Sequence, residues 1–162
     1  MEIESGPGRP DENITRRFKI LQTFLPYPDF ASSLRVLDPR RLGKQRLEAL
    51  QLLRAISGQG SGWSRHPAAT MWRGYDNALK QYHNLAIDEW VRRGYRNNMP
   101  KKRIQGPVVY PPWLGDEAFH ASHRSNLLRK DRAYYSAFGW TEPDDLPYVW
   151  PGAGGGKEVR TP

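Results

Sequence analysis

Cysteine is absent from this 162-residue chain. That excludes disulfides, thiolate metal centres, iron–sulfur clusters and a cysteine nucleophile, and it fits a reducing compartment such as the cytoplasm. No run of 18 apolar residues occurs, so no segment carries the pattern of a membrane-spanning helix. The first 20 residues lack the apolar centre of a secretory signal. No stretch alternates polar and apolar residues as a half-buried strand would. A G-x-S-x-G nucleophile elbow is missing, and the glycine run Gly154–Gly156 lacks the lysine and hydroxyl of a phosphate loop.

Acidic residues are the scarcer charge, 17 against 25 Lys and Arg, for a net +8. The excess is central. Residues 1–22 carry four bases and four acids, whereas Arg35 to Arg103 holds 15 bases and five acids. A small, basic domain with 12% aromatic residues points first to nucleic acid, the alternative being a protein with a merely basic surface. Hydrophobic residues make up 38% of the chain, enough for a real core in one domain.

Residues 1–20, with Gly-Pro-Gly and Arg-Pro steps, read as a flexible leader, and 151–162 as a loose Gly-rich tail. Between them, 21–150 reads as a single compact, mainly α domain of about three main helices joined by long Pro-rich loops. An extended piece, Thr23 to Pro28, opens it. Asp38-Pro39 starts the first helix as N-cap and N1 proline, and Gly58 stops it. The second runs with interruptions from His66-Pro67 to Arg93, where Gly94 ends it, with Gly74 marking a bend or a close approach. The stretch 96–113 is a loop. A third helix covers 116–130, a short one Asp131 to Phe138, and Trp140, Tyr148 and Trp150 anchor an irregular end.

Arg46 falls within the apolar face of the first helix, so its charge must snorkel, pair or line a wet cleft. Beside that face Arg41, Lys44, Gln45 and Glu48 form a polar stripe. It is either a solvated surface with a Lys44–Glu48 pair or a groove wall, where Glu48 handles a proton while the cations hold phosphates. Trp63, His66, Trp72, Arg73 and Tyr75 mix aromatics with bases, as a site that stacks on an unpaired base would, or simply as core. His120 and His123 approach a metal-binding pair without further ligands. Ser122, His123, Arg124 and Ser125 suit phosphate contacts or internal packing equally. Lys101-Lys102-Arg103 is a basic run in a loop.

Several segments together resemble a known group: Thr23-Phe24-Leu25-Pro26-Tyr27-Pro28-Asp29-Phe30, Leu37-Asp38 and Arg41 through Ala49, His66-Pro67, Met71 through Tyr75, Ser122 through Ser125, and Tyr148 through Pro151. They are similar to small bacterial and phage proteins grouped with the pyrimidine-dimer DNA glycosylases of the phage endonuclease V type. The resemblance implies a compact all-α monomer that acts on double-stranded DNA without metal, cofactor, membrane or obligate protein partner, in the cytoplasm and on the nucleoid when bound. It implies DNA repair by flipping out and excising a damaged or modified base, with abasic-site lyase activity in those members whose N-terminal threonine α-amine forms an imine with the sugar. By position Thr23 and Glu48 would be catalytic. Arg41 and Arg46 would be the groove arginines, allowing a one-residue slip of the helix, and the residue pattern adds Lys44, His66, Trp72, Arg73, Tyr75, His123 and Arg124 as candidate DNA contacts. Thr23, however, follows 22 residues and its nitrogen is an amide. Initiation at Leu21 with trimming to Gln22 or Thr23, removal of the leader by a protease, a water-using glycosylase and a protein without catalysis are the alternatives. Outside catalysis stands a binder of distorted or single-stranded DNA, and, third, a metal-dependent nuclease using His120, His123 and Glu117.

Overall fold

The computed structural model describes residues 21–58 and 65–152. The leader, Trp63 and all of the tail beyond Gly152 lie outside the described residues. Among those described there are six α-helices, one 3-10 turn and no strand: α1 (Phe30–Arg35), α2 (Pro39–Ile56), α3 (Pro67–Trp72), α4 (Asp76–Arg92), α5 (Glu117–Lys130), α6 (Arg132–Tyr135) and the turn Ser136–Phe138. The mainly α expectation holds. The expected second helix, however, is two, so α2 to α5 stand where three main helices were expected.

The break between α3 and α4 has a local cause. Gly74 adopts φ +90°, and a Cβ there would meet nothing within 4 Å, so the backbone conformation and not crowding demands glycine. Gly58 and Gly94 end α2 and α4 in the same left-handed region. The starts are equally legible. Asp38 caps α2 by accepting from Arg41 N at 3.2 Å, and a ring nitrogen of His66 caps α3 by accepting from Ala68 N at 3.0 Å. The short α1 was not foreseen. Its signal is Asp29, whose carboxylate accepts from Ser32 N at 2.9 Å, followed by Phe30 and Leu34 facing the core. Arg93 then covers the far end of α1, donating to the carbonyls of Leu34 and Arg35 while its Nε holds Glu89 at 2.9 Å.

α2 and α4 are the longest helices and pack on each other most extensively. α5 is unlike either. Nine of its 14 residues are buried, and six of these are polar: His120, Ser122, His123, Arg124, Ser125 and Asn126. Burial of so many polar side chains is tolerable only if each is hydrogen-bonded, and here they clamp two extended segments. Toward the N-terminal segment, His123 Nδ1 accepts from Leu25 N and His120 Nδ1 donates to Leu25 O, both at 2.8 Å. Arg124 donates to Pro26 O at 2.7 Å and pairs with Glu117 and Glu142. Toward the C-terminal segment, Ser125 accepts from Leu146 N at 2.9 Å, Asn126 donates to Leu146 O at 3.0 Å, and Ser122 accepts from Val149 N at 3.2 Å. His123 and Arg124 thus sit beneath the chain as internal supports, and not on a surface that phosphates could reach. The ring nitrogens of the His pair that a metal would take are occupied by Leu25 and Gly115 or enclosed in the core. Among the described residues no three His, Asp or Glu lie close enough to hold an ion.

Burial, then the nearby His120 and Arg124 charges, pushes the His123 imidazole down to about 3. In the unfolded chain it returns to about 6.5. Its contribution is therefore fully present above pH 6.5 and is lost as pH falls from there toward 3, because the unfolded chain binds the extra proton. Urea unfolding from pH 7 to 5 should show stability falling by up to about 1.4 kcal/mol per pH unit from this one group. His123→Asn keeps an acceptor for Leu25 N but cannot titrate, so its profile should be flatter. Equal slopes would contradict the assignment.

Candidate nucleic-acid groove

Residues 21–26 run extended and fully enclosed, with Leu21, Gln22, Thr23, Phe24 and Leu25 each under 8% exposed. An extended segment without a neighbouring strand must find side-chain partners for its peptide groups, and the helices supply them in order. Gln22 N donates to Glu48 Oε2 at 3.3 Å, Thr23 N to the Gln22 side chain at 3.1 Å, and Phe24 N to Gln45 Oε1 at 3.0 Å. The Tyr82 hydroxyl lies 2.9 Å from Phe24 O and 2.6 Å from Gln45 Oε1, its one proton between them. Burial, then the Glu48 charge, raises the Tyr82 phenol well above its ordinary value and keeps that proton in place. Gln45 completes the chain by donating from Nε2 to Glu48 Oε2 at 3.1 Å.

Glu48 is 7% exposed, a carboxylate at the edge of the core. The cations around it come from two helices. Lys44 and Arg41 lie one and two turns before it on the same face of α2. Lys130, at the end of α5, has its pKa lowered by partial desolvation although the side chain reaches solvent, then by the charges of Arg41, Arg129 and Lys44, with Glu48 opposing. Tyr148 closes the site from the C-terminal segment. Burial pushes its phenol up, and it faces the Gln22 side chain, Arg129, Arg41 and Glu48. Gln22 Nε2 is buried here and makes no hydrogen bond of ordinary geometry among the described residues, the Tyr148 phenol being its polar neighbour. A buried amide donor that is poorly satisfied beside a buried carboxylate is costly in a finished core and suits a site that takes a ligand.

The structure brings Glu48, Arg41 and Lys44 together and places Thr23 one residue away. Thr23 N does not face Glu48; Gln22 N does. The Thr23 hydroxyl accepts from Trp72 Nε1 at 2.9 Å, and Trp72 is fully buried among Phe30, Tyr82 and Trp113. Arg46 is separated from the groove. It sits on the opposite edge of the buried face of α2, its guanidinium 4.3 Å over the Trp90 ring and donating to Asn97 Oδ1 at 2.6 Å. Arg41 is tied to Asp38 at 3.0 Å. His66 is half-buried and set edge-on to Trp150, Tyr75 packs against the core, and Arg73 is exposed at the end of α3. Lys101 pairs with Asp88 at 2.5 Å.

Gln22, Arg129, Lys130 and Tyr148 were not picked out as site residues. Arg129-Lys130 is visible as a basic pair at a helix end. The remaining two carry no local signal, because only the threading of both chain segments across α5 brings them to Glu48.

The fold and the groove define a small all-helical protein with a recessed carboxylate set among cations. The family model described as pyrimidine dimer DNA glycosylase matches residues 21–103, just over half of the chain. The chain belongs to that DNA glycosylase family. The match spans the N-terminal segment, α2 and α4 and ends before α5, so Lys130 and Tyr148 lie outside it. No curated protein and no solved structure matches the chain.

Gln45 holds Phe24 N, the Tyr82 hydroxyl and Glu48 at once. Gln45→Leu strands three buried polar groups at about 1–3 kcal/mol each. We expect a loss of at least about 3 kcal/mol in urea unfolding, and a loss below about 1 kcal/mol would show that the network is not what holds the segment.

Proposed function

We propose that this protein excises a damaged pyrimidine base from duplex DNA, with Glu48 as the catalytic carboxylate and the groove cations on the flanking phosphates. The observation that carries the reading is the recessed Glu48 beside the Gln22 amide, whose Nε2 makes no hydrogen bond of ordinary geometry among the described residues, with Arg41, Lys44, Arg129 and Lys130 around them. A duplex cannot bring an anomeric carbon to a recessed group unless the nucleotide is extruded, and a cationic rim favours the bent backbone that extrusion needs. As the glycosidic bond breaks, its electron pair leaves with the base and positive charge develops at the sugar. Glu48 stabilises that charge and takes the proton of the attacking water, whose oxygen bonds to the anomeric carbon. The departing base gains a proton, and an abasic site remains.

A second route has one observation behind it, the 3.3 Å from Gln22 N to Glu48 Oε2. With the Leu21–Gln22 peptide bond intact that nitrogen is an amide and cannot attack. Cleavage of that bond would turn it into an α-amine, with a pKa near 7.7–8.0, already against its carboxylate. An imine and strand cleavage by abasic-site lyase chemistry would then be open to it. Duplex DNA as partner, action as a monomer and a place in the cytoplasm on the nucleoid belong to the same reading.

Glu48→Gln separates a glycosylase from a DNA-binding protein without catalysis. We expect base release from a duplex with one thymine dimer to fall by at least about 100-fold, while affinity for that duplex changes less than about threefold. No release by the native protein would leave the binding reading standing. The salt response checks the groove. If about five phosphates are contacted, log affinity falls with log salt at a slope near −4.5. The Lys44→Gln, Lys130→Gln double variant should flatten that slope by about two.

A further inference from the structure

On the other edge of the buried face of α2, away from Glu48, lies a cavity of about 290 Å³. Leu50 and Leu53 form its apolar side. Three cations from three different elements, with Ser57 and Asp76, line the rest: Arg54 in the last turn of α2, Lys80 of α4 and Lys102 of the loop that follows α4. Among the described residues none of the three side chains makes an ion pair or a side-chain hydrogen bond, and the one carboxylate in the lining, Asp76, pairs with none of them. The adjacent Lys101, by contrast, is neutralised by Asp88.

Lys102 is held in place. Asn84, one turn beyond Lys80 on the same face of α4, donates to Lys102 O at 2.8 Å and accepts from Lys102 N at 2.7 Å. Asn77 fixes the same loop further on, donating to Gln105 O and Pro107 O. An asparagine that bonds both peptide groups of one residue fixes where its side chain begins. With Asp76 counted, the lining still carries a net charge of +2 (three cations less one carboxylate), which a bound anion would offset. Arg54 also complements the α2 dipole, but that local role accounts for neither Lys80 nor Lys102. The volume is at the small end for ligand sites, too small for a duplex and suited to one nucleotide, with an aliphatic wall for a sugar or base face.

We propose that this cavity binds a single nucleotide unit, its phosphate between Arg54, Lys80 and Lys102 and its sugar and base against Leu50 and Leu53. The site is separate from the Glu48 groove and does not depend on the excision reading. Asp76, also in the lining, would accept from a sugar hydroxyl or a base amino group. The unit is either free or part of a DNA strand, and both present the same chemistry.

The test uses the full chain, titrated calorimetrically with thymidine monophosphate, thymidine and a single-stranded thymine decamer. The decamer also meets the groove, so it is titrated in the Lys44→Gln, Lys130→Gln background. Thymidine monophosphate or the decamer should bind, and Arg54→Gln, Lys80→Gln should weaken that binding at least tenfold with an unchanged thermal midpoint. Lys102→Gln alone should weaken it severalfold, and base excision should be unaffected by either. Loss for the monophosphate assigns a free nucleotide, and loss for the decamer alone assigns a strand. Undiminished binding in the double variant, no binding of either phosphate probe by the native site, or thymidine binding as well as its monophosphate would overturn the proposal.

Discussion

The peptide groups of residues 22–26 are the constraint from which the rest of this structure follows. An extended segment in the middle of a helical protein has no strand beside it, so every buried N–H and C=O must be met by a side chain. α2 supplies Gln45 and Glu48, α4 supplies Tyr82, and α5 supplies His120, His123 and Arg124. These demands explain why α5 is polar although it is buried, and why its two histidines are held in opposite tautomers around one residue, Leu25. They also explain why a carboxylate is tolerated at the core edge. Glu48 is the acceptor that closes the series, and its recessed position is a by-product of holding Gln22.

α2 then acts as a partition. One edge of its buried face carries Arg41, Lys44 and Glu48, and the other carries Arg46 and the apolar wall of the Arg54–Lys80–Lys102 cavity. Its cations therefore serve different ends despite their proximity in sequence. Arg46 spends its charge on Trp90 and Asn97, fixing the loop after α4. Lys44 remains exposed beside the recessed carboxylate. Single-sign charge along a helix says little about a binding face until the neighbours of each guanidinium and ammonium are known.

Caps and left-handed glycines were the most legible features of the sequence, because they act within a turn of themselves. Asp38-Pro39, His66-Pro67, Gly58 and Gly94 mark helix ends correctly. The polar stripe of Arg41, Lys44, Gln45 and Glu48 was visible for the same reason, since helical periodicity alone sets it. Trp72, His123 and Arg124 read as DNA contacts because their residue types suit nucleic acid, yet their partners are Thr23, Leu25 and Pro26, 49 to 98 residues away in sequence. Gln22 and Tyr148 were hidden by the same long-range threading, and no local pattern encodes it. The nitrogen that meets Glu48 differs by one residue from the one that the family resemblance indicated. In an extended chain one residue reverses the direction of every group.

Gln22 N lies against Glu48, and the proposed mechanism makes water the attacking group while the Leu21–Gln22 bond is intact. Borohydride trapping on a duplex with one abasic site tests this directly, comparing the full chain with versions that begin at Gln22 and at Thr23. A covalent adduct is expected with the version that begins at Gln22, markedly less with the one that begins at Thr23, and none with the full chain. An adduct with the full chain would contradict that mechanism and move the chemistry to a side-chain amine such as Lys44 or Lys130.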